Sequence, residues 1–161
     1  MTVSEYNTSV DKFSDGIFRF ILKNLGDEEH SKDIVQESYL RLWERRQNVK
    51  FDKVKTYLFT TAYHLMIDLL RKNKYRATYE KHHDESETES TVFTDLGEIL
   101  EKAVNQLPEI QKTAVLLRDY EGYSYQEIGE VTGLNESQVK VYIYRARMFL
   151  KQYIGSMDRV I

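Results

Sequence analysis

The chain has 161 residues with 23 Lys and Arg against 26 Asp and Glu, a net charge of -3, and 41% apolar and 30% charged residues. That balance excludes wholesale disorder and suits one medium domain or two small ones. The lack of cysteine removes disulfides, thiolate metal sites and cysteine nucleophiles together, and fits a reducing compartment, expected to be the cytoplasm.

MTVSEYNTSVDKFSD has early acids and no apolar core of a leader, and no run approaches the roughly 18 apolar residues of a spanning helix, so no membrane insertion is expected. One proline and seven glycines leave few helix breakers. The fold class that follows is all-α.

In chain order, Val10, Phe13, Ile17, Phe18, Ile21 and Leu25 recur at helical spacing up to Gly26, which suits a C-cap. Ser31 is placed to cap a second helix, DIVQESYLRLWERR, with Ile34, Val35, Tyr39, Leu42 and Trp43 inside. A third runs from about Val54 to Lys72, with Val54, Leu58, Thr61, Ala62, Leu65 and Leu69 as its stripe. Tyr57, Phe59, Tyr63 and His64 give that helix more aromatic surface than the stripe can hide. It runs out in Arg71, Lys72, Lys74 and Arg76 beside Tyr75.

Composition then shifts: from Asp84 to Glu101 there are seven acids and no Lys or Arg, which reads as a linker. The expected division is residues 1–76, an acidic connector at 77–98, and a smaller unit at 99–161. In the last, Pro108 begins a helix; Ser124 with Glu127 forms a capping box; Gly133 closes that helix; and Asn135 with Gln138 opens the next. Two helices joined by about four residues, with Ile128 and Val131 facing Val139 and Ile143, have helix-turn-helix spacing.

The second of those helices has four bases and no acid from Ser137 to Ile154, so it is locally cationic in an acidic chain. In a helix-turn-helix this element enters the major groove. Tyr144 shares the Lys140 face and serves either core or DNA. The bases and aromatics of the third helix suit single-stranded nucleic acid, since cations follow the backbone while rings take unstacked bases; they equally suit an ordinary helix end. His82 and His83 beside Asp84 and Glu85 predict no metal site, because adjacent residues in a polar run rarely converge on one ion. No phosphate loop, nucleophile elbow or zinc-protease pattern occurs, so neither enzyme nor cofactor is expected.

Taken together, the chain resembles bacterial sigma factors of the extracytoplasmic-function group, which keep only regions two and four. The resemblance covers Phe18 to Lys151 and rests on DIVQESYLRLWERR, TYLFTTAYHLMIDLLRK and LPEIQKTAVLLRDYEGYSYQEIGEVTGLNESQVKVYIYRARMFLK. It implies a transcription initiation factor without catalysis of its own. Its partners would be RNA polymerase (the largest-subunit coiled coil and the flap), promoter DNA and an anti-sigma factor.

By this resemblance Asp33, Gln36, Glu37, Arg41 and Trp43 would dock polymerase, although Trp43 equally suits the core. Lys50, Phe51, Lys55, Tyr57, His64, Arg71 and Lys72 would take the melted minus-ten strand. Gln138, Lys140, Val141, Tyr144, Arg145 and Arg147 would read the minus-thirty-five duplex. The chain departs from many relatives in having Tyr57 for Trp and His64 for Asn, and in the apolar Val141, which suits a thymine methyl. A stand-alone helix-turn-helix regulator and a protein-interaction module are the competing readings.

Overall fold

The computed structural model describes residues 1–79 and 96–158. The pair His82 and His83, with Asp84 and Glu85, lies outside the described residues, as does most of the expected connector. Seven α-helices are described: α1 (Val3–Leu25), α2 (Glu28–Glu44), α3 (Val54–Tyr79), α4 (Leu96–Asn105), α5 (Glu109–Val115), α6 (Tyr125–Thr132) and α7 (Glu136–Asp158). A 3-10 turn at Phe51–Lys53 precedes α3, and a π-helical turn at Leu116–Tyr120 follows α5. No described helix is long and apolar enough to cross a membrane.

Helix α1 starts earlier than apolar spacing predicts. The Thr2 hydroxyl accepts from the Glu5 N–H, and the Glu5 carboxylate accepts from the Thr2 N–H, so a capping box stabilises a first turn with little apolar periodicity. Gly26 ends the helix at φ 72°, as expected. The cap of α2 is Asp27 and not Ser31. Asp27 accepts from the His30 N–H, while Ser31 is buried within the helix and donates to the Asp27 carbonyl at 2.6 Å. A cap residue directly after a left-handed glycine lets the new helix start at once.

The first three helices pack pairwise around Ile17, Phe20, Ile21, Leu42, Leu58 and Met66, all fully buried. On α3 the inner positions are Val54, Leu58, Phe59, Ala62, Tyr63 and Met66, whereas the expected Thr61, Leu65 and Leu69 are only half-buried. The reason lies in the second unit: α6 packs along α3 and covers the aromatic side. Phe59, 2% exposed, sits 4.9 Å from the Tyr123 ring and 5.9 Å from Phe20. Of the surplus aromatic surface, Phe59 is therefore packing between units, whereas His64 stays exposed, and one buried cluster runs from Ile17 through Phe59 to Ile143.

The helix-turn-helix forms as its spacing predicts, with Ile128, Val131, Val139 and Ile143 all buried. Both reciprocal caps are present: Ser124 with Glu127, and Asn135 with Gln138. Two glycines make the turn. Gly133 takes φ 81°, and a Cβ on Gly129 would stand 2.7 Å from the Leu134 carbonyl oxygen. Gly129→Ala should therefore destabilise the fold by about 1–3 kcal/mol through overpacking. Gly155→Ala, on an open face of α7, should stabilise it by up to about 1 kcal/mol. Urea unfolding of the two variants measures both signs.

Candidate nucleic-acid interface

Three surfaces carry the candidate residues. On α2, Asp33, Gln36 and Arg41 are exposed and Glu37 is half-exposed, with Arg41 Nε donating to Glu37 Oε1 at 3.1 Å. Between them stands Leu40, 51% exposed, which periodicity alone leaves unassigned. Its position between Gln36, Glu37 and Arg41 on one helical face is the signal that marks it. The result is a polar face with an apolar centre, the composition of a protein-docking patch. Trp43 stands apart from it: half-buried, it packs 5.0 Å edge-to-face on Tyr6 and carries the Arg46 guanidinium at 4.0 Å. A groove of about 410 Å³ between α2 and α3 is lined by Asp33, Glu37, Arg41 and Lys72, which brings Lys72 to the α2 face.

On α3 the candidate residues divide between two sides. Tyr57, His64 and Arg71 recur every seven residues and so form one line, about 21 Å long at 1.5 Å per residue; His64 and Arg71 are exposed and Tyr57 is half-buried. Lys55 lies nearly opposite that line and faces the second unit. Its Nζ is 3.7 Å from Glu127 Oε2 and 3.9 Å from the Tyr123 ring centroid. Lys50, at the entry to α3, is exposed, and Phe51 is half-buried against the core. Tyr75 and Arg76 continue α3 toward its end at Tyr79.

On α7 the exposed face carries Gln138, Lys140, Val141, Tyr144, Arg145 and Arg147, with Val141 44% and Tyr144 65% exposed. Gln138 Oε1 accepts from the Asn135 N–H at 3.0 Å, which fixes the side chain and leaves its amide N–H groups outward. Asn135, Gln138, Val141, Tyr142 and Arg145 rim a depression of about 250 Å³. Arg147 donates twice to Asp119, at 2.6 and 3.1 Å, so its guanidinium is held at the edge of this face. Tyr125 and Arg118 were not legible as part of the surface. The Arg118 guanidinium lies 4.5 Å over the Tyr125 ring, with Lys140 Nζ at 5.6 Å from the same ring. Among the described residues no group of acids and histidines suits a metal ion.

The family model for Sigma-70 region 2 matches residues 10–76, and that for Sigma-70, region 4 matches residues 97–150. The chain is 27% identical over 154 residues to the ECF RNA polymerase sigma factor SigE of Mycolicibacterium smegmatis, covering 91% of this chain and 60% of that protein. It is 26% identical over 156 residues to SigM of Bacillus subtilis, covering 94% of each. In fold it is similar to the sigma factor RpoE of Bartonella quintana, solved in complex with the anti-sigma factor NepR, at TM-score 0.79 and 18% identity over 95% of this chain and 98% of that one. CnrH, solved with the cytosolic domain of CnrY, matches at TM-score 0.70 and 17% identity over 94% and 88%.

Where the two units meet, polar groups surround the Phe59 contact. Arg19 Nε and Nη2 donate to the two Glu121 oxygens at 3.0 and 2.9 Å. The Glu121 side chain is 5% exposed. Its hydrogen bonds push the Arg19 guanidinium further up. The Ser124 backbone N–H above all, with Lys55 adding, holds the Glu127 carboxyl below the usual carboxylate range. Lys112, buried so that its ammonium is pushed down, donates to Asn105 Oδ1 at 2.9 Å and to the Asn24 carbonyl at 3.3 Å. The Tyr123 hydroxyl is buried without a hydrogen-bond partner among the described residues. Tyr123→Phe should therefore raise stability by about 1 kcal/mol, since it removes an unsatisfied group while keeping the ring; thermal unfolding reads the direction.

Proposed function

From the premise that the chain belongs to the extracytoplasmic-function group of the sigma-70 family and is a transcription initiation factor directing RNA polymerase to promoters, we propose a division of labour among its three surfaces. The α2 face, Asp33, Gln36, Glu37 and Arg41 around Leu40, docks polymerase. The outward side of α3, with Tyr57, His64 and Arg71 and the entry residues Lys50 and Phe51, takes the melted minus-ten strand. Residues Gln138 to Arg147 of α7 read the minus-thirty-five duplex. Lys72 reaches the strand from the edge of that surface, Lys55 is held by Glu127 and the Tyr123 ring on the opposite side of α3, and Trp43 buttresses α2 against α1.

One observation supports this reading: a single chain holds an exposed polar face on α2 around Leu40, a line of outward residues on α3, and a capped helix-turn-helix whose second helix is cationic. A stand-alone regulator has no use for the first two. Melting fits the residue types, because unstacking costs a few kcal/mol per base and ring and pocket contacts return it. The protein supplies binding and positioning and leaves the chemistry to polymerase. Its place of work is the cytoplasm, and an anti-sigma factor is a partner consistent with the bound proteins named in the RpoE and CnrH structures.

The departures set the specificity. Val141, at the depression on α7, offers a methyl-lined contact for thymine. Lys140→Ala or Arg145→Ala should cost about 1–3 kcal/mol in duplex affinity with relaxed specificity if a base is contacted, or lower the salt slope by about one if a phosphate is. Titration of a minus-thirty-five duplex at several salt concentrations separates these. Reversing charge in Asp33→Lys with Glu37→Lys should weaken association with core polymerase while the circular dichroism spectrum stays helical. Native affinity in that variant would remove α2 as the docking face.

A further inference from the structure

The reciprocal cap that starts α7 occupies the side-chain oxygens beside Val141. The Gln138 N–H donates to Asn135 Oδ1 at 2.8 Å, and Gln138 Oε1 accepts from the Asn135 N–H at 3.0 Å. A backbone N–H can only donate, so it settles which atom of the Gln138 amide is the oxygen and turns that oxygen back toward the cap. The two amides keep donors for a ligand, Gln138 Nε2–H and Asn135 Nδ2–H. Arg145, on the same rim, adds donors and no acceptor.

These donors surround an apolar centre. Val139, Ile143 and Ala146 are buried on one side of α7, and Val141 stands opposite them, 44% exposed. It shares its face with Gln138 and Arg145 at the i,i+3 and i,i+4 spacings. With Asn135, Ser137 and Tyr142 these residues rim the depression of about 250 Å³. Glu136, the acid at the start of α7, is drawn away to Lys140 at 3.5 Å, so it offers this rim no acceptor.

A base edge that fits must therefore place an acceptor beside an apolar group. In the major groove thymine does so with O4 and its C5 methyl, whereas guanine has acceptors but no methyl and cytosine sets an N4 donor against donors. Adenine is read by a Gln whose oxygen takes N6–H while its N–H meets N7, and here that oxygen is held at the cap by Asn135. We propose that Gln138 and Val141 read one thymine of the upstream element, Gln138 Nε2–H donating to O4 and Val141 packing on the C5 methyl, with the Asn135–Gln138 cap setting the preference by fixing the amide. This rests on the reading of α7 as the duplex-binding helix. The cap thus has a second task besides starting the helix, and 5-methylcytosine is no substitute for thymine, since it carries the methyl beside the wrong hydrogen-bonding group.

The test starts from duplexes with a randomised upstream block, selected by the full chain together with core polymerase. A thymine should occupy the position whose preference changes in both Val141→Ala and Gln138→Glu. In the selected duplex, uracil at that position should lower affinity about fourfold, the worth of one buried methyl. Cytosine or 5-methylcytosine paired with guanine should lower it on the order of tenfold, because donors then face donors. Val141→Ala should make uracil and thymine equivalent. Gln138→Glu keeps the cap, since Glu serves at this position as well as Gln, and replaces the outward donors with an acceptor. Its preference should pass from thymine to cytosine, with 5-methylcytosine bound better than cytosine while Val141 is present.

Adenine or guanine selected at that position by the wild-type chain, equal affinity for uracil and thymine, or a Gln138→Glu variant that gains no preference for cytosine would each overturn the thymine reader. If Arg145→Ala alters the selected block while Gln138→Glu and Val141→Ala do not, α7 still reads the duplex and only the thymine reader falls. If no substitution on the exposed face of α7 alters the block, the assignment of α7 to the duplex falls and the thymine reader with it.

Discussion

Phe59 seated against Phe20 and Tyr123 is the contact on which the arrangement depends. It fixes which side of α3 is inside, and a helix with one side committed to packing presents the opposite side to solvent. Tyr57, His64 and Arg71 are outward because Phe59, Tyr63 and Met66 are inward. The same contact joins the buried residues of both units into one cluster. A full aromatic deletion at such a site typically costs about 3–5 kcal/mol, enough to loosen the seam and the helix together.

Charge follows the same partition. A net charge of -3 hides local order, since binding responds to where charge sits. Glu121, Glu127 and Asp119 are spent on Arg19, Lys55 and Arg147. The acids of α2 face outward, and on α7 Lys140 is paired with Glu136 and Arg147 with Asp119. The acidic protein and its cationic helix α7 are thus compatible, because Glu121 and Glu127 are paired at the seam.

The sequence made the helix-turn-helix legible almost residue by residue, since capping boxes and glycines are local signals and Ser124, Glu127, Gly133, Asn135 and Gln138 lie within fifteen positions of one another. Helix ends were less legible where a cap lacked an apolar repeat beside it, as at Thr2, or where two cap residues competed, as with Asp27 and Ser31. The role of Phe59 was not legible. Its partner Tyr123 is distant in the chain, and periodicity along one helix says that a ring is in surplus without saying what covers it. The groove that brings Lys72 to the α2 face was not legible for the same reason, because it forms between two helices.

The most direct measurement of the central claim, that one chain reads two promoter elements for polymerase, is transcription in vitro by purified core polymerase and this chain from a randomised promoter library. The selected templates should carry two sequence blocks at a fixed spacing, with the upstream block altered by substitution at Val141 or Arg145 and the downstream block altered by substitution at Tyr57 or His64. Selection of a single block, or transcription that does not depend on adding the chain, would contradict the account.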